Sequence, residues 1–144
     1  MRKLITGAAG LSLIVSGALL ATAPSANAAS VRGSCSVSDG YSATGAINYT
    51  NSGSNHRVSH YSWTLRGQRG RTSNNVNAQV RKHRNNLPDQ RVHSWSTGSA
   101  RNGTGRAPIN KTWPKSHTLF GQIQFIFDKN NAPDPRCTVH TPRF

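Results

Sequence analysis

Six histidines, two cysteines and four carboxylates, all of them aspartate, are the side chains of this 144-residue chain best suited to proton transfer, nucleophilic attack or metal ligation. The acids are Asp39, Asp89, Asp128 and Asp134. Glycoside hydrolysis by the two-carboxyl route needs a pair of carboxyls in unlike environments. Each Asp here lies in a turn-forming stretch or at a strand end, where capping and turn hydrogen bonding are the ordinary roles. His56-Arg57-Val58-Ser59-His60 has the outer spacing of a zincin motif, but Arg57 stands where the general-base Glu would be. On a strand, moreover, residues four apart are separated by about 13 Å, too far for two ring nitrogens to share one ion. Gly40-Tyr41-Ser42-Ala43-Thr44 lacks the second glycine of a nucleophile elbow, and no helix follows it. His83, beside Arg81, Lys82 and Arg84, is the one His-and-cation arrangement suited to phosphodiester chemistry, and a solvated charge run explains it equally well. A triad assembled in space from distant Ser, His and Asp residues is not excluded by spacing, and nothing favours one. Catalysis is therefore not expected, and no cofactor or metal is read from the chain.

Charge is the stronger signal. Lys and Arg number 18 against 4 acids, giving a formal net charge of +14. With so few carboxylates to neutralise it, the positive field is free to attract nucleic acid, an anionic envelope polymer or an acidic protein. Two turns concentrate it, Arg66-Gly67-Gln68-Arg69-Gly70-Arg71 and Arg81-Lys82-His83-Arg84. The planar guanidinium fork makes bidentate contacts to carboxylates that an ammonium cannot, and Arg outnumbers Lys. Arg66, Arg69, Arg71, Arg81, Lys82 and Arg84 are accordingly the candidate residues for binding an acidic protein partner; solvated basic turns are the alternative. Trp95 and Trp113 are candidate stacking platforms for single-stranded nucleic acid. No RNA-recognition signature, zinc-finger spacing or helix-turn-helix accompanies them, so polyanion binding is expected to be non-specific and salt-sensitive.

The elements that must carry these residues follow from pattern. Residues 1–28 read as a leader: Met1-Arg2-Lys3 is basic, Leu4 to Leu20 apolar, and Ala26-Asn27-Ala28 a small-residue cleavage site. The mature domain spans 29–144, is expected outside the cell, and contains no second apolar run long enough to cross a bilayer. In that setting the lone pair Cys35 and Cys137 is most simply one disulfide, closing a loop of roughly 100 residues and worth up to about 4.7 kcal/mol. Period-two alternation recurs and helical period does not. Strands are expected at Val31–Val37, Tyr41–Tyr49, Tyr61–Leu65 (with Trp63 as the foremost core residue), Val76–Val80, Arg91–Thr97, Ile109–Trp113, Leu119–Phe127 and around Cys137–Val139. Val92 and Trp95 fall on opposite faces of the fifth, leaving its inward face open, and Ser99–Pro108, with Asn102-Gly103 and Gly105, reads as a long loop. Seven or eight such strands with Gly, Asn and Pro turns predict an all-β domain, a single small Ig-like β-sandwich whose disulfide joins the first and last strands.

The leader, the cysteine frame and the segment from Phe125-Ile126-Phe127-Asp128-Lys129 through Asp134-Pro135-Arg136-Cys137 resemble small secreted single-domain proteins of actinobacteria over nearly all the mature chain. Among these, the chain is similar to the adaptor subunits of Streptomyces umbrella toxin particles. That resemblance implies no enzyme activity and a role bridging a lectin-bearing, trypsin-like subunit to the repeats of a large polymorphic toxin, within a larger secreted complex. It assigns no binding residue, because no family motif is matched position by position. The competing expectations are a small basic antimicrobial or nuclease-like effector acting on anionic polymers, and an inhibitor of an exported hydrolase presenting the loop Arg101–Pro108.

Overall fold

A computed structural model describes residues 27–144. Most of the leader assigned to 1–28 lies outside the described residues. Eight strands run in chain order: β1 Asn27–Ser36, β2 Ser42–Ser52, β3 Asn55–Arg66, β4 Asn74–Lys82, β5 Gln90–Ala100, β6 Gly103–Pro114, β7 Leu119–Ile126 and β8 Arg136–His140. They form two four-stranded antiparallel sheets, ordered β1-β2-β3-β6 and β5-β4-β7-β8. The architecture is the expected Ig-like sandwich, with a strand order of its own.

Alternation builds the core. Ala43 and Ile47 of β2 face Val76, Ala78 and Val80 of β4 and Ile123 and Phe125 of β7, with Tyr61, Trp63 and Leu65 of β3 in the same buried cluster. β3 keeps its inner face by a bulge: the pairing register shifts between Val58 and His60, so Ser59 is an extra residue. His56 and Val58 therefore point inward as Tyr61 and Trp63 do, while His60 turns out, and the two histidines of the zincin-like spacing lie on opposite faces. A second bulge, between Val80 and Arg81 on β4, absorbs Val92 and turns Trp95 inward, where its ring stacks on Trp63 with centroids 5.3 Å apart.

Two close approaches need glycine. A Cβ on Gly105 would lie 2.4 Å from Trp63 Cε2, so the indole rests on bare backbone. A Cβ on Gly33 would lie 2.7 Å from Val139 Cγ1, which is how β1 comes against β8 beside the Cys35–Cys137 bond. That bond spans 102 residues and joins the first strand to the last, as the cysteine positions predict.

One expectation fails outright. Residues 103–108, read as part of a long loop, belong to β6, and the connection from β5 is only residues 101–102. Gly105 and Ala107 face inward while Thr104, Arg106 and Pro108 face out, so the alternation is real but carried by residues too small to register as a hydrophobic pattern. Pro108 is tolerated because β6 is an edge strand. The loop proposed for an inhibitor thus does not exist as a loop.

Candidate binding surfaces

Strand direction sorts the connections into two ends. Residues 37–41, 67–73, 101–102 and 127–135 gather at one, here the Asp128 end; 53–54, 83–89, 115–118 and 141–144 gather at the other, the His83 end. The six candidate partner-binding residues are divided between them. Arg66, Arg69 and Arg71 lie at the Asp128 end and Arg81, Lys82 and Arg84 at the His83 end, separated by the nine residues of β4, a run of about 27 Å.

At the Asp128 end charge is consumed in holding loops together. Arg71 lies 4.0 Å from the Asp128 carboxylate and donates to Asn130 Oδ1. The Lys129 ammonium donates to Asp39 at 3.0 Å, an interaction that raises the lysine pKa, and the Lys129 amide donates to Asp134. Beneath them Asn74 is fully buried: its Nδ2 donates to the Ala100 carbonyl at 3.0 Å and its Oδ1 accepts from the Asp128 amide at 2.9 Å. One side chain thus ties together the start of β4, the end of β5 and the segment after β7. Arg66 and Arg69 project into solvent.

The His83 end uses its cations differently. Arg84 donates through Nε and Nη2 to the Pro88 carbonyl at 2.9 and 2.7 Å. Arg81 donates through Nη2 to the Asp89 carbonyl at 2.8 Å and through Nη1 to Gln79 Oε1 at 3.0 Å. These acceptors are neutral, so they fix the guanidiniums without an ion pair, although the Arg81 charge also helps to lower the Asp89 pKa, and unused N–H donors remain on each. The one acid here, Asp89, bonds His83 Nδ1 at 2.9 Å and accepts from the Arg84 amide; the His83 hydrogen bond chiefly holds its carboxyl below the usual range. Lys82 lies half-buried at the end of β4.

Strand pairing then adds residues that sequence reasoning missed. Arg81 pairs with Phe120, and Gln79 with Gln122, which pairs in turn with His140. The result is a cleft of about 490 Å³ lined by Arg81, Asp89, Phe120, Gln122, His140, Thr141 and Arg143. Its far neighbours on the same outer face are amides, with Asn77 Nδ2 donating to Gln124 Oε1 at 3.2 Å. The alternation of Phe120, Gln122 and Gln124 was visible beforehand; that β8 lays His140 beside them was not.

Three other histidines, His56, His60 and His93, are occupied structurally, whereas His117 Nδ1 is buried without a partner among the described residues. His56 Nδ1 pairs with Asn51 Oδ1 at 2.7 Å, and its ring packs edge-on against Tyr49 and Phe144, which stack on each other. Burial, then the Lys115 charge, lowers its pKa. The Tyr61 hydroxyl, whose pKa burial raises, lies 2.8 Å from His93 Nδ1, and burial with the Lys111 charge lowers the His93 pKa. His60 Nδ1 is taken by Ser59 Oγ at 2.8 Å. Among the described residues no three His, Cys, Asp or Glu side chains come together as a metal site. Trp113 is half-buried, and Trp95 is engaged with Trp63.

No protein-family model, no curated protein and no solved structure gives a significant match to this chain.

Proposed function

We propose that the protein is a secreted, non-catalytic binding module that docks an acidic protein surface and serves as an adaptor bridging partners, in keeping with its resemblance to adaptor subunits of extracellular toxin particles. The observation that carries this reading is the treatment of Arg81 and Arg84: both are oriented by neutral carbonyls beside a cleft that also holds His140 and Arg143. Guanidiniums fixed by neutral acceptors suit bidentate recognition of carboxylates, because their rotamers are already ordered before binding. The disulfide is compatible with an extracellular location and keeps the domain rigid there.

The test is recovery of a tagged copy from the culture medium of its secreting host, washed at moderate and at high salt. An acidic protein retained in fixed stoichiometry through the high-salt wash, and lost from the Arg81→Glu/Arg84→Glu double variant, is the expected result. Recovery of salt-labile polyanion alone would transfer the function to the basic-effector alternative, since phosphate-backbone binding falls steeply with salt.

A further inference from the structure

We propose that the free edge of β5, from His93 to Thr97, is a docking site for an extended acidic segment of a partner protein, which adds to the β5-β4-β7-β8 sheet as a fifth strand. This deepens the acidic-partner reading above and rests on it.

A sandwich of two open sheets has four edge strands, and an exposed edge presents unpaired N–H and C=O groups that proteins ordinarily guard. Here three are guarded and one is not. β1 and β8 close against each other along one side, through the disulfide and the packing of Gly33 on Val139 and the His140 carbonyl. β6 carries Arg106, Pro108 and Lys111, with Asn110 at φ 49° breaking its regular extension between them. β5 pairs only with β4. Its residues 93–99, His-Ser-Trp-Ser-Thr-Gly-Ser, include no proline and no Lys, Arg, Asp or Glu, and Ser94, Ser96, Gly98 and Ser99 are exposed. The register shifts between Asn74 and Val76, so Gly98 and Ser99 form a bulge in which the Ser99 amide donates to Thr97 Oγ1 at 3.3 Å, and the regular free edge is His93–Thr97. A five-residue edge without charge or proline is the geometry used for strand addition, in which main-chain hydrogen bonds supply affinity.

Charge selects the occupant. Arg91 precedes the free edge, Arg101 follows it, and Lys111 of β6 lies near enough across the seam to perturb His93. Neither β5 nor β6 contains an acid. A second copy of this chain would bring these cations against themselves, on top of the repulsion between two proteins each carrying +12 without Arg2 and Lys3 of the expected leader. A strand flanked by carboxylates meets the opposite situation. The half-buried Trp95, stacked on Trp63, offers it an aromatic surface along the seam.

The probe is a synthetic nonapeptide of alternating Thr and Val flanked by glutamates, set against the same core flanked by lysines. Amide hydrogen exchange of the full chain is expected to slow by about tenfold within 93–97 on saturation with the glutamate-flanked peptide, and to be unchanged by the lysine-flanked one. Two variants sharpen this, Ser96→Pro and Thr97→Pro. Successive amides of a strand point to opposite neighbours, so one substitution strikes the β4 ladder and the other the free edge. The variant that keeps the parental Tm is expected to lose peptide affinity by at least about tenfold, the worth of one to two hydrogen bonds; if both unfold, the exchange pattern of the unmodified chain decides. Slowing along β1, β6 or β8 instead, equal slowing by both peptides, or retained affinity in the stable proline variant would overturn the proposal. Slowing confined to the cleft of Arg81 and Arg143 would overturn it while leaving the acidic-partner reading intact. Failure of the glutamate peptide to bind anywhere would overturn both.

Discussion

The two ends of this sandwich spend the same resource in opposite ways. At the Asp128 end, Asp39, Asp128 and Asp134 cluster with Arg71, Lys129, the buried Asn74 and the Cys35–Cys137 bond, and these groups are paired with one another, while the side-chain amide of the buried Gln68 has no partner among the described residues. At the His83 end a single carboxylate, Asp89, is committed to His83, and the guanidiniums of Arg81 and Arg84 are aligned by neutral oxygens. Equal counts of basic residues in the two turns therefore have unequal meaning: Arg71 is drawn to Asp128 and Arg66 and Arg69 project into solvent, whereas Arg81 and Arg84 are aligned beside one cleft. A cation neutralised by an internal acid helps hold loops together, whereas one held by a carbonyl keeps its field and its spare donors for something outside the molecule.

Perturbing each end in turn should separate stability from binding. The largest effect is expected from replacing both Cys35 and Cys137 by Ser: releasing a loop of 102 residues removes about 3–5 kcal/mol, read as a large fall in Tm under non-reducing conditions. An unchanged Tm would mean that the Asp128 end does not clamp the fold. Asn74→Ala should follow, since it strands the Ala100 carbonyl and the Asp128 amide in a buried setting; about 1–3 kcal/mol is expected from urea unfolding, with binding of an acidic ligand unaffected.

Arg81→Glu with Arg84→Glu should act chiefly on binding. Affinity for an acidic partner is expected to fall by roughly 10- to 100-fold, with a lower Tm from the lost hydrogen bonds to Gln79, Pro88 and Asp89, whereas Arg69→Glu with Arg71→Glu should weaken binding less and lower Tm slightly through the lost Asp128 contact. Equal losses of affinity from the two pairs would erase the distinction between the ends.

The smallest effect is pH dependence at the His83 end. The His56 pKa is lowered in the folded protein, so the unfolded chain takes up the proton first. Its contribution to stability is complete above the unfolded value near 6.5 and is lost as pH falls through the lower folded value. His93 acts in the same direction from the β5 seam. Tm should therefore be lower at pH 5 than at pH 7.5, and His56→Gln should flatten part of that slope. Asp89 behaves alike at more acid pH: its depressed pKa gives stability present above the unfolded value near 3.9 and lost below it.

Much of the framework was legible before any coordinates. Trp63 as a core residue, β7 as a strand and a disulfide between the terminal strands all follow from period two and from a lone pair of cysteines. The misreadings share a cause. Residues 103–108, the first half of β6, read as a loop because Gly103, Gly105 and Ala107 carry the alternation in side chains too small to show, and the space beside Gly105 is filled by Trp63 from a different strand. The inward face of β5 stayed open because the bulge at Val92 interrupts the period, and bulges depend on the partner strand.

Composition and local pattern by themselves determined that the chain is basic, β-rich and clamped once, since charge, alternation and cysteine number are properties of a one-dimensional string. Tertiary structure alone decided which arginines share a surface, which carboxylates neutralise them, and that Arg81, His140 and Arg143 line one cleft. Those relations join residues up to 62 positions apart, and only the register of β4, β7 and β8 brings them together.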